Sequence, residues 1–517
     1  MWIELINKSR ISARKDGKEI INLPYYVNKN KLLSKNILKK MEKYNIVEFI
    51  DNFNQPVDNL PSEIQEITFG KYFNQSVNNL PKNLKVLHFG EFFNKPINNL
   101  PIGLKVISFG NKFTRALNDK LPTGLKSITF ADKYNKQIDY LPEGLINLTF
   151  GDDFNQPICH ILPSGLQNLT FGDNFNQPVD KLPSGLQNLE LRNSFNHPVN
   201  KLPSGLQTIT FGYYFNQPVD NLPSGIQTLI LEDNFNHPVN NLPSGLKILK
   251  LGNSFNQPVN NLPSGLKILK LGNSFNQPVD NLPTGLQSLI FGVWFNESVN
   301  NLPSGLQNLT FGDVFNQPVD NLPSGLQNLT FGNNFNHPVD NLPTGLKTLE
   351  FGDNFNQSVD NFNQSVDNLP AGLKTLKLGN YFNHPVNNLP IGLKKLYFGS
   401  SFNQPVDNLP LGVEKLYFIG NFNQPVDNLP TRLKTLELGN YFNHTVNNLP
   451  TGLKKLYFGS SFNQPVDNLP KELQSLSLSE PYNKPLNLPK SVKIYRNYIS
   501  DSLFNTYNFD TTYFSNI

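Results

Sequence analysis

The 517-residue chain contains a single cysteine, Cys159, and has no long apolar run. One cysteine excludes a disulfide within the chain, and a large extracellular protein more often has several. No stretch approaches the roughly 20 apolar residues of a membrane span. The opening residues MWIELINKSRISARKDGKEI lack the apolar core of a signal peptide. We therefore expect an intracellular protein that does not enter a membrane and is not secreted through a signal peptide.

The sequence is also poor in features that carry chemistry. The formal charge is only +4, with Lys and Arg spread along the chain, so no basic patch indicates nucleic-acid binding. Dinucleotide, P-loop and HExxH motifs are absent. Asp320, Asp340 and Asp360 recur at a fixed spacing, which predicts a solvated row rather than a catalytic cluster. We expect neither an enzyme nor a bound cofactor.

The dominant feature of the chain is a repeated 20-residue motif, which reads FNQPVDNLPSGLQNLTFGNN at residues 315–334. The next copy of this motif begins at Phe335. Its opening aromatic residue recurs from Phe53 to Tyr482, usually every 20 residues, in about 22 units. From Phe355 the segment FNQSVDN occurs twice in succession, which adds seven residues at 355–361. We expect this addition to bulge from one coil without shifting the others.

Each unit contains the leucine-rich-repeat pattern L-x-x-L-x-L, here from Leu326 to Phe331. The alternation in Leu329-Thr330-Phe331 predicts a short strand with Thr330 outward. Prolines on the other side of the coil oppose a helix there. The predicted fold is mainly β, a parallel β-solenoid of leucine-rich-repeat type over residues 51–494, with one short strand per coil and extended or polyproline II backs.

The same unit predicts the interior of each coil and its corners. Gly325 and Gly332 are predicted to turn the chain through positive φ. Stacking of neighbouring coils is needed to bury the apolar side chains of any one unit. The residues predicted to point inward are Leu322, Leu326, Leu329, Phe331, Phe335 and Val339.

Asparagine follows the opening aromatic residue in every unit but one, where Thr114 replaces it. Because an amide both donates and accepts, stacked copies are predicted to form a structural ladder that satisfies buried backbone groups. The ladder in the central units comprises Asn176, Asn196, Asn216, Asn236, Asn256, Asn276, Asn296, Asn316 and Asn336.

The two ends of the chain depart from the repeat. Leu33, Ile37 and Met41 share one face of a helix predicted over residues 31–44. We expect residues 1–50 to form an N-terminal cap that contains this helix, and residues 495–517 to form a C-terminal cap or tail.

Outward strand positions vary while the frame stays constant, so they are the candidate protein-binding residues. Tyrosines in line with cations suit a protein interface, although Tyr and Ile also suit strands for their own sake. The first strip, near the end of the chain, is formed by Lys377, Lys395, Tyr397, Lys415, Tyr417, Lys455 and Tyr457. The second, in the middle, is formed by Ile248, Lys250, Ile268, Lys270 and Trp294.

Five of the seven histidines occupy the third position of the motif. The nearest two, His197 and His237, are two coils apart, or about 10 Å by strand spacing. Zinc needs each ligand nitrogen near 2.1 Å, so we predict no metal site and interpret the position as an exposed one that accepts Gln or His.

The recurring Phe315-Asn316-x-Pro318, followed by Leu-Pro-x-Gly-Leu, resembles the FNIP repeat family over residues 53–495. That family is typical of social amoebae and of giant DNA viruses that infect amoebae. The resemblance implies protein-protein interaction without catalytic residues and, for a viral protein, a place in the host cytoplasm.

Some members of this family carry an F-box that recruits a ubiquitin ligase. Leu23-Pro24 before an apolar helix is similar to its start, but the longer pattern is not traceable through residues 25–52. The main hypothesis is therefore a non-enzymatic scaffold for a protein partner of unknown identity. The alternatives are a ligase substrate receptor that binds ubiquitin ligase components, and a structural or particle-associated protein.

Overall fold

Each unit of the sequence forms one coil, and the strand of each coil lies beside the strand of the next. The structure is a computed structural model. It describes residues 10–15, 19–24, 35–117, 121–158, 161–355, 366–486, 488 and 491–496. The described chain divides into two compact units, Met1–Phe255 and Asn256–Ile517.

The described residues of the first unit form one helix and thirteen strands. Its elements are β1 (Arg10–Lys15), β2 (Glu19–Pro24), α1 (Lys35–Met41), β3 (Ile46–Glu48), β4 (Glu66–Thr68), β5 (Val86–His88), β6 (Val106–Ser108), β7 (Ser127–Thr129), β8 (Asn147–Thr149), β9 (Asn168–Phe171), β10 (Asn188–Leu191), β11 (Thr208–Phe211), β12 (Thr228–Leu231) and β13 (Ile248–Leu251). From β3 to β13 every strand pairs in parallel with the next along the chain.

The second unit is built from strands of the same kind. Its elements are β14 (Ile268–Lys270), β15 (Ser288–Ile290), β16 (Asn308–Thr310), β17 (Asn328–Thr330), β18 (Thr348–Glu350), β19 (Thr375–Lys377), β20 (Lys395–Phe398), β21 (Lys415–Phe418), β22 (Thr435–Leu438), β23 (Lys455–Phe458), β24 (Ser475–Leu478) and β25 (Lys493–Arg496). Consecutive strands again pair in parallel from β14 to β25. The predicted parallel β-solenoid is confirmed.

The strands form where the sequence alternates, and the interior is filled by columns of apolar side chains. In the unit predicted above, Leu329 and Phe331 are buried and Thr330 is half-buried, as expected. The rings of Phe331 and Phe335 stack at 3.7 Å, and each stacks on its copy in the following coil at 5.5 and 6.2 Å. Leu322, also predicted to point inward, is only half-buried.

The reason predicted for the corner glycines is wrong. Among the described residues only Gly420 has a positive φ, of 58°, and it follows Ile419, which occupies the place that glycine holds in most coils. At Gly332 the cause is close packing: a Cβ would lie well inside 3.0 Å of the Gly312 carbonyl oxygen in the preceding coil. At Gly325 the nearest atom would be 3.3 Å away, so this corner is far less crowded.

The seven-residue addition leaves the strand register around it unchanged. Leu349 of β18 pairs with Leu376 of β19, 27 residues on, and Phe355 stacks on Phe382 at 6.4 Å. Residues 356–365, which include most of the duplicated segment, lie outside the described residues. The coils before and after them follow the ordinary frame.

The N-terminal segment covers the first coil with more than a helix. Helix α1 ends at Met41, whose side chain is fully buried, whereas Leu33 lies outside the described residues. Strand β3 pairs with β4 on one side and antiparallel to β1 on the other, and β1 forms an antiparallel pair with β2. This antiparallel pair covers an edge strand that would otherwise offer free backbone groups. At the other end β25 pairs with β24, and residues 497–517 lie outside the described residues.

Candidate functional site

The first strip lies on the outward side of strands β19 to β23, in two rows. Lys395 and Lys415 begin their strands and are paired neighbours, with Thr435 and then Lys455 continuing the row. Tyr397 and Tyr417 occupy the third strand position, followed by Glu437 and Tyr457. The strand register therefore brings Lys395, Lys415 and Lys455 into one row. The tyrosines lie in the other row, which also contains Lys377 as the paired neighbour of Tyr397.

The lysine row is exposed, and its charges have no ion-pair partner among the residues that the structure describes. Lys395, Lys415 and Lys455 are all exposed, and no carboxylate of the described residues lies in salt-bridge range of them. Neighbouring Lys394 and Lys434 differ, because both approach Glu414, at 3.5 and 2.6 Å. The lysine row is thus free to meet negative charge from outside.

The tyrosine row is partly a packing feature. The rings of Tyr397 and Tyr417 stack in parallel with centroids 4.6 Å apart. Tyr417 is only 5% exposed, because Tyr397 and Glu437 flank it in the pairing register. Tyr397 and Tyr457 are half-buried. The sequence placed Tyr417 on the outward face correctly but did not reveal that its neighbours cover it.

Two carboxylates on this outward side are buried. Burial raises the pKa of Glu437, between Tyr417 and Tyr457, from 4.5 to about 7. Burial likewise raises the pKa of Glu350 in β18 to about 7, and the charge of neighbouring Lys377 opposes that rise. The burial of Glu437 could not be predicted from the sequence, since nothing in a single unit shows how neighbouring coils enclose this side chain.

The residues of the second strip are divided between the two compact units. Ile248 and Lys250 are half-buried in β13. In the other unit, Ile268 is half-buried and Lys270 exposed in β14. Trp294 is 60% exposed but lies at a corner, four residues after β15 ends.

Exposed aromatic residues favour the position just before the opening Phe of a unit, a register that sequence reasoning missed. Aligning that position across the units would have revealed it. Tyr72 and Phe92 stack there at 5.2 Å, and Lys71 and Lys112 lie over the two rings. The large exposed residues in this register are Tyr72, Phe92, Tyr214, Trp294, Tyr381 and Tyr441.

The asparagines after the opening Phe form a regular ladder, but at the surface. The backbone N–H groups of eight central asparagines donate to Oδ1 of the preceding copy at 2.8–3.1 Å, namely those of Asn176, Asn196, Asn216, Asn236, Asn276, Asn296, Asn316 and Asn336. These residues are exposed or half-buried, because an extended chain that points Phe inward points the next side chain outward. The ladder therefore fixes the surface of the coil rather than its interior.

A second ladder, of side-chain hydrogen bonds between coils, explains why the Val-Asp-Asn motif recurs. Asn341 Nδ2 donates to Asp320 Oδ1 of the preceding coil at 3.0 Å, and the same bond joins Asn428 to Asp407. Asp320 and Asp340 of the predicted solvated row are exposed, yet their oxygens also link one coil to the next. Asp360 lies outside the described residues. Asp320 and Asp407 thus serve a repeated structural role as hydrogen-bond acceptors between coils.

The third position of the motif accepts Gln or His because both reach the same group. Gln404 Nε2 donates to the Asn383 carbonyl oxygen at 3.1 Å, and His197 Nε2 lies 3.0 Å from the Asn176 carbonyl oxygen. Among the described residues, no group of three or more His, Cys, Asp or Glu side chains is arranged to hold a metal ion. Cys159 and His160 lie outside the described residues.

The model of the FNIP repeat matches sixteen overlapping segments, from residues 53–92 to residues 442–481. The chain belongs to the FNIP repeat family. Its FNIP repeats account for the solenoid of about 22 turns with one short strand in each. No curated protein matches this FNIP-repeat chain in sequence.

Among solved structures, the FNIP-repeat chain is similar to CroV588, a giant-virus protein described as a novel circular leucine-rich-repeat protein. The two share 34% identity with a TM-score of 0.64, over 87% of this chain and 85% of CroV588. YopM from Yersinia enterocolitica WA-314 matches at 19% identity and a TM-score of 0.46, over 86% and 92% of the two chains. The FNIP match and the likeness to CroV588 show that the chain is a solenoid of leucine-rich-repeat type, a common scaffold for protein interaction. Its described helical residues include no segment with the length and apolar character of a membrane span.

Proposed function

We propose that this chain is a non-enzymatic scaffold that binds a partner protein on the outward side of strands β19 to β23. The observation that carries the proposal is the lysine row, in which Lys395, Lys415 and Lys455 are exposed and without an ion pair among the described residues. The half-buried rings of Tyr397 and Tyr457 lie beside it and offer ordered apolar area at low entropic cost.

The fold supports the same function. A solenoid repeats one strand per coil, so its outward side presents many variable positions on a constant frame. The variation here is local, because most outward positions elsewhere carry Thr, Ser or Asn, whereas these coils carry Lys and Tyr. Binding specificity would reside in those substituted positions.

The test is affinity purification of the tagged full chain from its native host cell, with and without the lysine row. Lys395, Lys415 and Lys455 are changed to Thr, which occupies the same register in Thr375 and Thr435. The matched control changes exposed Lys181 and Lys201 to Asn, the usual residue at their position. We expect the triple variant to lose a partner that the control retains. Retention of every partner by the triple variant would refute the proposed surface.

The identity of the recovered proteins separates the functional alternatives. Ubiquitin ligase subunits would indicate a substrate receptor, while an unrelated single partner would indicate a dedicated scaffold. Abundance in particles without any partner would indicate a structural protein instead.

A further inference from the structure

Two adjacent coils beside the lysine row expose large aliphatic side chains at a corner that is usually polar. Ile391 is 85% exposed and Leu411 is 70% exposed. Both follow the Leu-Pro pair, where most other units have Ser or Thr. A single exposed aliphatic residue is common on protein surfaces, but two on successive coils form a local apolar patch.

Cations without an ion-pair partner among the described residues border this apolar patch. Lys395 and Lys415 each follow four residues after one of the aliphatic side chains and are exposed. Arg432 of the next coil replaces the corner glycine of the repeat and is exposed as well. None of the three has an ion-pair partner among the described residues, whereas Glu414 is occupied by Lys394 and Lys434.

We infer that Ile391, Leu411, Lys395, Lys415 and Arg432 form a docking site for an acidic polypeptide segment that carries aliphatic side chains. This inference rests on the proposed function and names the chemistry of the partner. The three cations complement carboxylates, and the aliphatic pair would be covered by apolar side chains of the same segment. We call these five residues the acidic-segment site.

The combination favours a polypeptide over a nucleic acid. Phosphates would match the cations, but Ile391 and Leu411 offer neither a hydrogen bond nor a stacking surface to a nucleotide, and single-stranded nucleic acids depend on such stacking. The stacked rings of Tyr397 and Tyr417 do not supply it, because Tyr417 is buried. Exposed aliphatic area gains binding energy only where another apolar group covers it.

The experiment measures fluorescence anisotropy of labelled probes with the full chain. The main probe is a peptide repeating Asp-Leu-Asp-Gly. Companion probes replace Asp by Lys, replace Leu by Ser, or substitute a single-stranded oligonucleotide of equal charge. We expect the acidic aliphatic peptide to bind more tightly than all three, with an affinity that falls as salt rises.

The variants use residues that the repeat already accepts at these positions. Ile391→Ser with Leu411→Ser is expected to weaken binding of the main probe about tenfold by removing apolar contact. Lys395→Thr with Lys415→Thr is expected to weaken it roughly fivefold and to reduce its dependence on salt. The matched control is Ile102→Ser, since Ile102 is 82% exposed in the same register but lies in the other unit. That change should leave binding unchanged.

Equal binding of the Asp and Lys peptides, stronger binding of the oligonucleotide, or unchanged affinity in both double variants would overturn the acidic-segment site. The proposed function fails differently, through retention of every cellular partner by the triple lysine variant. If the triple variant loses a partner while the acidic peptide does not bind, the proposed binding surface is supported and only the inferred chemistry of the partner is wrong.

Discussion

The outward sides of strands β8 to β11 and of strands β20 to β23 rest on the same buried frame but differ in how their polar groups are paired. In the first region Asn188 donates to Asn168, and Asn168 to Asn147, both at 2.6 Å. Glu190 meets Arg192 at 2.8 Å. In the second region the described residues offer the lysine row no such partner, and Glu437 is enclosed between Tyr417 and Tyr457.

The difference shows that neighbouring coils can either satisfy one another or leave charge available to a partner. The repeated coil backbone allows both arrangements. The side chain at each outward strand position decides whether it pairs with polar groups of the coils on either side. The first region is a self-contained surface, and the second is the part of the chain that we propose binds a protein. The predictions below test whether only the surface differs, in order of expected effect.

The largest expected effect is the loss of a core ring, and it should be equal in both regions. Phe175 and Phe402 are fully buried and stack on Phe171 and Phe398 at 3.7 and 3.8 Å. We expect Phe175→Ala and Phe402→Ala each to lower stability by about 3–5 kcal/mol. Native-state hydrogen exchange of each altered coil measures the loss, because long repeat arrays need not unfold as one cooperative unit. Costs that differ by more than about 2 kcal/mol would show that the two frames are not equivalent.

The next effect depends on pH and should appear only in the second region. Burial raises the pKa of Glu437 from 4.5 to about 7, so the folded chain holds this proton more tightly than the unfolded chain. Its stability should therefore fall as pH rises from about 4.5 to about 7. We expect Glu437→Gln to remove this dependence and to stabilise the coil at pH 8 by up to about 3 kcal/mol. Hydrogen exchange of strand β22 across pH 5–8 provides the measurement.

Glu190→Gln is the matched control for that change. The Glu190 side chain is 40% exposed and paired with Arg192, so its replacement should cost less than about 1 kcal/mol. An equal gain in stability at high pH from both substitutions would mean that burial by the tyrosines is not the cause.

The smallest effect concerns the surface ladder, which both regions share. Asn176 Oδ1 accepts the backbone N–H of Asn196 at 3.1 Å, and Asn403 Oδ1 accepts that of Asn423 at 2.9 Å. We expect Asn176→Ala and Asn403→Ala each to cost about 1 kcal/mol and to speed exchange of the amide that loses its acceptor. Substitution by Asp keeps an acceptor oxygen and should restore most of the protection. Unchanged exchange in the Ala variants would show that the ladder is not energetically important.

The repeat made much of this fold predictable. Spacing located the strands to within a residue, since the strand expected at residues 329–331 was found at Asn328–Thr330. The side-chain period of a strand then separated inward Leu329 from outward Thr330. Features that depend on several elements at once were harder to predict from the sequence. They include the burial of Tyr417 and the antiparallel pairing of β1 with β3.

Sequence by itself determined the coil, its core and its approximate number of turns, because a twenty-residue period with fixed apolar positions has few ways to bury them. The tertiary structure decided what the repeated polar residues do. Only stacking showed that the Asn ladder lies at the surface, that Asn341 binds Asp320, and that Gly332 is required by close approach rather than by positive φ. The physical reason is that these interactions form between coils about 4.8 Å apart in space, although their partners are some 20 residues apart in the chain.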